Sequence, residues 1–314
     1  MKKNKLIKIL IIFIFIFSLT GCTKYAKNEN KKMIVNNETG QRLVTNILCK
    51  PTDKEMISLY KEYNEIAKTK VDLDKLIDCQ KMSLTGEYKD IWTNLFVKPL
   101  AWLIIQIGSI VKSYGLGLIL TTIFIRLIAY PLTKKAALQS ENMKKAKPAL
   151  TNLENKYKNK KSQEDMMKKQ QEMMLIYKEN NISPLSGCLT ALIQIPLFFA
   201  FYEAISRIPA IFEENFIGFQ LGTSPIKAVS NGNYIYLVFI VLIAAATYYS
   251  FKSNGTASMN PEQEKQMKTM TNVMVVVMTI TAFSISTGIA FYWVTSNVFT
   301  IIQNLLVKRG KKNA

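Results

Sequence analysis

Arg126 lies in the run TTIFIRLIAY, Thr121–Tyr130, with apolar sequence on both sides. A guanidinium stays charged at any cellular pH, so its chemistry is that of a fixed cation that attracts acidic groups. Insertion scales put an arginine at the centre of a membrane helix at about 2.5–3.5 kcal/mol. Lys134 follows eight positions later, so Arg126 would sit ~12 Å inside that end of its helix, and snorkelling along its own stem relieves part of the cost. No acidic residue occupies a span core; Glu203 is the nearest candidate, toward the outer end of its own segment. Two readings follow. Either Arg126 faces a water-filled cavity, open to the cytoplasm and closed toward the outside, or it is a snorkelling interface anchor. Thr121, Thr122, Gln194, Ser284, Ser296 and Asn297 are polar residues of apolar segments that could line such a cavity. Gln194 interrupts an apolar run between Ile193 and Ile195; its plainer role would be an interhelical hydrogen bond.

Other chemistries find little support. The chain of 314 residues is 49% hydrophobic yet carries a net charge of +19, and it has no histidine. That removes His-based metal sites and His-assisted nucleophiles. No GxxxxGK[ST], no GxGxxG after a strand and no CxxC pair is present, so neither a metal nor a cofactor is expected. High apolar content with a large charge fits a membrane protein whose charge lies outside the lipid.

The elements that would position Arg126 can be read in order. Residues 1–21 have the layout of a secretory signal: Lys2, Lys3, Lys5 and Lys8, then the apolar run Ile9–Phe17, then SLTGC. LTGC resembles the lipobox of bacterial lipoproteins, which implies thioether lipidation of Cys22; an uncleaved anchor is the other reading. Residues 22–90 form a polar extracytoplasmic lead, either with one or two helices (Met56, Leu59, Tyr63 and Ile66 on one side) or as a partly disordered tether. Cys49 and Cys79 would lie outside, as a disulfide or as free thiols. Residues 91–113 read as an amphipathic helix on the outer membrane surface, with Leu100, Leu103, Ile104, Ile107 and Val111 on one face and Trp92 and Trp102 in the headgroup zone; a tilted span is the rival.

Residues 115–133 form the first true span, ending at Pro131 against Lys134 and Lys135. Residues 134–183 read as a cytoplasmic helical hairpin with a narrow apolar seam (Met143, Ala146, Leu150, Leu153, Tyr157; Met166, Met173, Tyr177), where Pro148 should kink the first arm or mark its start. Spans two to five follow at 185–205, 234–251, 270–286 and 288–307, separated by an outer loop 206–233 and a cytoplasmic loop 252–269, with a basic tail 308–314. The fold class expected is thus an all-α polytopic membrane protein with five transmembrane helices. Orientation follows from basic residues. With the lipidated end outside, the hairpin, the second cytoplasmic loop and the tail fall inside and hold most of the connecting Lys and Arg, whereas the outer loop 206–233 has only Arg207 and Lys227.

TTIFIRLIAYPLTKK, NISPLSGCLTALIQIPLFFAFYEAI and FYWVTSN, in this order around the hairpin, resemble the YidC/Oxa/Alb membrane protein insertases over residues 91–308. The lipobox, and a lead too short for a large extracytoplasmic domain, resemble the Gram-positive form. The resemblance implies a non-enzymatic insertase and chaperone in the bacterial cell membrane, its C-terminus cytoplasmic. A hydrophilic groove, open to cytoplasm and lipid, would attract acidic residues of a substrate. It places the groove arginine on Arg126, a groove glutamine on Gln194 and a groove tryptophan on Trp293, with Thr122, Ser296 and Asn297 as further candidates. It implies nascent membrane proteins and the lipid bilayer as partners, and no small-molecule substrate. The Sec translocon is an expected partner, and the basic tail and hairpin suit contact with ribosomal RNA. Thr190, Thr279 and Ser286 stand where family members often have proline, which bears on helix curvature. Two other functions compete: a small-anion or peptide transporter using Arg126, and a scaffold lipoprotein recruiting cytoplasmic partners.

Overall fold

The computed structural model describes residues 23–84, 90–160, 162–183, 186–254 and 261–312, with backbone alone at 186–193, 254, 261–267, 270 and 311–312. The signal, the lipobox and Cys22 lie outside the described residues, as do the side chains of Cys188 and Thr190. The described chain forms two compact units. One takes its residues from Met1–Ile125, Gln194–Leu242 and Ile280–Thr295, the other from Arg126–Ile193, Ile243–Thr279 and Ser296–Ala314.

In the first unit the polar lead is a built structure. Isolated bridges pair Tyr25 with Val44, Lys27 with Met33 and Val35 with Arg42. Helix α1, Lys54–Ile66, starts at Asp53, whose carboxylate accepts from Met56 N at 2.8 Å. Met56 and Tyr60 are its buried residues, Leu59 and Tyr63 pack at the margin, and Ile66 is exposed. The expected apolar side is therefore rotated toward Tyr60, whose hydroxyl donates to Val44 O at 2.6 Å. Burial holds that phenol well above its ordinary pKa. Cys49 and Cys79 form a disulfide, which settles the two readings left open by the sequence.

A turn of π-helix, Thr93–Val97, leads into α2, Lys98–Val111. Its protein-buried face includes Leu100, Ala101, Ile104, Ile105 and Gly108; of the expected apolar face, Leu100 and Ile104 are buried against protein while Leu103, Ile107 and Val111 are half-buried. The reason lies in the next helix, α3, Tyr114–Tyr157. A Cβ on Gly117 would fall 2.6 Å from Gly108 Cα and 2.7 Å from Ile104 O. The two helices approach through backbone, which only the small-residue face of α2 allows. Lys112, in the left-handed region at φ 57°, makes the tight reversal between them.

Helix α3 runs 44 residues and passes unbroken through Pro131 and Pro148. The helix thus continues beyond the expected end of the first span, and a start of the hairpin arm at Pro148 is corrected. The neighbouring Thr133 hydroxyl bonds Ala129 O and Tyr130 O at 3.1 and 3.2 Å, a local bond to the carbonyls of the turn.

Among the described residues, four helices are long and apolar enough to cross a membrane: Thr93–Val111, Tyr114–Tyr157, Tyr234–Ser253 and Thr287–Gly310. Helix α4 is Gln163–Glu179, and α5, Ser186–Arg207, carries the second span-like sequence. A single helical turn α6, Pro209–Phe212, the hairpin strands β1, Asn215–Phe216, and β2, Phe219–Gln220, and α7, Pro225–Ser230, fill the loop after it. Then come α8, Leu237–Asn254, α9, Pro261–Ala282, and α10, Thr287–Lys312. Helix α9 starts before the apolar sequence and stops at Ala282; its apolar part, Thr271–Ala282, is shorter than the expected 270–286 span.

The loop after α5 organises the first unit. Leu48 N donates to Arg207 O at 2.9 Å, Thr52 N and Oγ1 donate to Glu213 at 3.0 and 2.6 Å, and Asn231 Nδ2 donates to Glu38 O at 3.1 Å. Glu214 caps α3, accepting from Tyr114 N at 2.5 Å and Ser113 Oγ at 2.7 Å; a carboxylate there also complements the helix dipole. Ile226 N donates to Phe283 O just past α9, and Thr287 N and Gly288 N at the start of α10 donate to Thr223 O and Leu221 O. Gln220 N donates to Tyr236 Oη, just before α8. Five helix ends meet this one loop.

In the second unit the end of α3 and the whole of α4 contact in antiparallel order. Lys169 pairs with Glu154, Lys156 and Tyr157 with Glu172, and Ala146 and Leu150 pack with Tyr177 and Ile182. Ser162 caps α4 by accepting from Asp165 N at 3.1 Å. Met166, Met167, Met174 and Leu175 remain exposed on α4.

Candidate functional site

The second unit holds Arg126. It is 7% exposed and donates through Nη2 to the hydroxyl of Ser296, itself buried on α10. Seven residues further along both helices, Thr133 Oγ1 donates to Gln303 Oε1 at 3.0 Å. Both pairs are 170 residues apart in sequence. An equal offset repeated after two helical turns means that α3 and α10 run parallel there, in one register. Asn304 Nδ2 extends the polar seam to Ser253 Oγ on α8 at 3.1 Å. Thr247 and Ser250 on α8 are buried as well. Thr300 Oγ1 returns to Ser296 O at 3.0 Å, fixing that turn of α10.

The expected site residues divide between the two units. Arg126 and Ser296 come together in the second, where Asn297 is half-buried. In the first, Thr122 is buried and returns its hydroxyl to Leu118 O at 2.7 Å, and Gln194 is half-buried. Trp293 is buried edge-on against Phe198, ring centroids 5.2 Å apart. Thr121 is fully buried, and its hydroxyl makes no hydrogen bond among the described residues. Ser284 lies in the turn between α9 and α10, donating its N–H to Thr281 O, and so belongs to that turn rather than to a span.

Glu203, the acid named as the nearest candidate for Arg126, is otherwise engaged. Arg207 Nη1 meets its carboxylate at 3.3 Å, and Trp92 Nε1 donates to it at 3.1 Å. The same guanidinium donates to Thr93 Oγ1 at 2.9 Å and to Asn46 O at 2.8 Å. One buried ion pair thus ties the lead, the entry to α2 and the end of α5.

Sequence reasoning missed Thr133, Gln303, Asn304 and Ser253. The signal was available: Arg126 and Thr133, and Ser296 and Gln303, are each spaced by seven, which returns a helix to the same face. Thr133 stands at the expected end of one span and Gln303 inside another, so span bounds alone do not pair them.

Comparisons with known proteins show the family. Residues 106–314 match the family model described as 60Kd inner membrane protein. A protein of Oceanobacillus iheyensis named membrane protein insertase YidC is 34% identical over 72% of this chain and 87% of its own. One of Bacillus anthracis, membrane protein insertase YidC 2, is 35% identical over 72% of this chain and 84% of its own. Membrane protein insertase MisCA of Bacillus subtilis is 33% identical over 73% and 83%. With several apolar helices long enough to cross a bilayer, this is a multi-pass cell-membrane protein, and the chain belongs to the 60Kd inner membrane protein family, that of the YidC/Oxa/Alb insertases.

Proposed function

We propose that this chain is a membrane protein insertase, in which Arg126 on its seam with Ser296 offers a cationic contact to acidic residues of an arriving segment. The observation that carries this reading is the parallel register of α3 and α10, which sets a buried cation at the head of a polar seam. Polar groups along the seam give a translocating segment hydrogen-bonding partners that hydrocarbon lacks. A substrate helix of ~20 apolar residues gains free energy by leaving water, so the barrier is the crossing of its polar flank. The membrane potential, outside positive, adds about 2.3 kcal/mol per acidic charge per 100 mV. No fuel is needed. By family resemblance, Gln194, Trp293, Thr122 and Asn297 would be further groove residues of such an insertase, in a groove open to cytoplasm and lipid.

Five spans are the topology of this proposal, with the lipidated Cys22 outside after signal cleavage and the tail inside. Parallel α3 and α10 support it, because three intervening spans return the chain to the same direction. The outer loop supports it too, since it meets the ends of α5 and α9 and the starts of α3, α8 and α10. Both ends of the 91–113 segment meet Glu203–Glu214: Trp92 and Thr93 at one end, Ser113 at the other. That favours a helix lying at the outer surface over a crossing one. The helical pair around residue 160 would work in the cytoplasm, as a contact region for substrate, Sec translocon or ribosome.

The test supplies variants to cells depleted of their own insertase, with a single-span substrate carrying acidic residues in a short translocated tail. Arg126→Ala, at equal protein level, should fall to the depleted background, and Arg126→Lys should retain much of the activity. Normal insertion by Arg126→Ala would end the proposal.

A further inference from the structure

The hairpin of β1 and β2 turns on two residues, Ile217 at φ 45° and Gly218 at φ 86°. Two positive φ angles in a two-residue hairpin loop define a type I′ turn, whose favoured pair is Asn-Gly. Isoleucine is among the residues least suited to the left-handed region, being β-branched. Here it stands at the tip, 69% exposed.

The root of the hairpin is fixed. Phe216 packs where a Cβ on Gly115 would lie 2.4 Å from its ring, and edge-on to Phe291 at 5.3 Å. Phe219 meets Phe239 at 4.8 Å and Tyr236 at 5.1 Å. Phe239 belongs to the first turn of α8, inside the membrane-length helix Tyr234–Ser253. The hairpin therefore lies against the outer first turns of a span. Around it that span presents Val238, Val241 and Leu242 to its surroundings, with Tyr234 and Ile235 exposed at its start. An apolar tip at this level continues a lipid-facing surface.

We infer that the β1–β2 hairpin is a wedge whose tip, Ile217, is embedded in the outer leaflet of the bilayer, holding the outer loop at fixed depth. Lipid contact supplies the return on a residue that the turn itself disfavours. The inference rests on the topology proposed above, which sets the loop outside.

The experiment uses the full chain in right-side-out membrane vesicles, with an NBD label on Ile217→Cys. Wild-type chain labelled in parallel gives the background from its own thiols, and Lys68→Cys, an exposed lead position, gives an aqueous reference. Resistance of the Cys49–Cys79 pair to thiol reagent shows that the disulfide has formed, and protease resistance equal to that of the wild-type chain shows that the first unit has folded. Spin-labelled lysophosphatidylcholine, which enters only the outer leaflet, should remove most emission at 217 and little at 68. Externally added dithionite should do the reverse. Rapid loss at 217 to external dithionite, without quenching by the lipid, overturns the wedge and leaves the topology standing. Protection from both reagents, with protein cross-links at 217, overturns it in favour of a protein cover. Access from the inner side alone overturns the wedge and the topology together.

Discussion

Replacing Arg207 tests how the first unit is held. Its guanidinium is 2% exposed and bonds Glu203, Thr93 and Asn46, while its carbonyl accepts from Leu48 N. Arg207→Met removes three contacts and leaves Glu203, 3% exposed, to the indole N–H of Trp92. Removing one member of a buried pair costs about 3–5 kcal/mol, much of it the penalty on the abandoned charge. At about 2–4 °C per kcal/mol for a unit of 150–250 residues, the melting temperature should fall by roughly 6–20 °C. Glu203→Gln alone should cost less, because an amide still accepts from Trp92 and leaves no buried anion. The double variant Glu203→Leu with Arg207→Met should recover most of the loss, since an apolar pair of similar volume has no charge to bury. The assay is thermal unfolding of the full chain in lipid nanodiscs, with release of the lead followed by proteolysis. A shift under about 2 °C for Arg207→Met, or a double variant no more stable than Arg207→Met alone, would refute the argument.

Gly117→Ala sets a methyl against the Gly108 backbone, and overpacking of this kind costs about 1–3 kcal/mol; a melting shift below that of a surface control would show that α2 and α3 can part freely. Cys79→Ser opens a loop with a sequence separation of 30, worth about 3.6 kcal/mol in the chain-entropy model, so amide exchange in α1 should accelerate; unchanged exchange would mean that the packing of Tyr60 and Val44 suffices. Glu172 is held below its usual pKa, first by Lys156 and then by Tyr157. A lowered carboxylate pKa contributes stability above the unfolded value and loses it as pH falls through the lowered one. Proteolysis between α3 and α4 should therefore stay constant from neutral pH down to the ordinary carboxylate range and rise only below it; a rise between pH 5 and 7 would point to another group.

The lead shows what periodicity leaves out. Its helix was legible, and Met56 was rightly on the inner face, but Tyr60 was not among the expected residues. A tyrosine in a polar segment reads as surface until a carbonyl such as Val44 O is known to meet it. The bridges that build the lead span single residue pairs, too short for alternation to register. Its docking on Glu213 and Asn231 depends on residues more than 150 positions away. In α2 periodicity marks an apolar face but not the small buried residues Ala101 and Gly108, of which Gly108 lies against the backbone at Gly117.

The seam shows the reverse: a long-range feature that was written locally. In a bundle of parallel helices crossing at a shallow angle, the effective repeat is close to 3.5 residues, so positions seven apart return to one neighbour. A lone polar residue in a span is ambiguous, because it can bond its own helix, as Thr122 does with Leu118 O. Two polar residues seven apart on one span, matched by two on another, are not ambiguous in that way. Arg126 and Thr133 meet Ser296 and Gln303 in order, so the repeat names the partner helix and its direction at once. The same repeat assigns different work to its two levels. Thr133 and Gln303 can satisfy each other with neutral groups. Ser296 gives Arg126 a hydroxyl, and under the proposed insertase function this cationic level is where an acidic segment would dock.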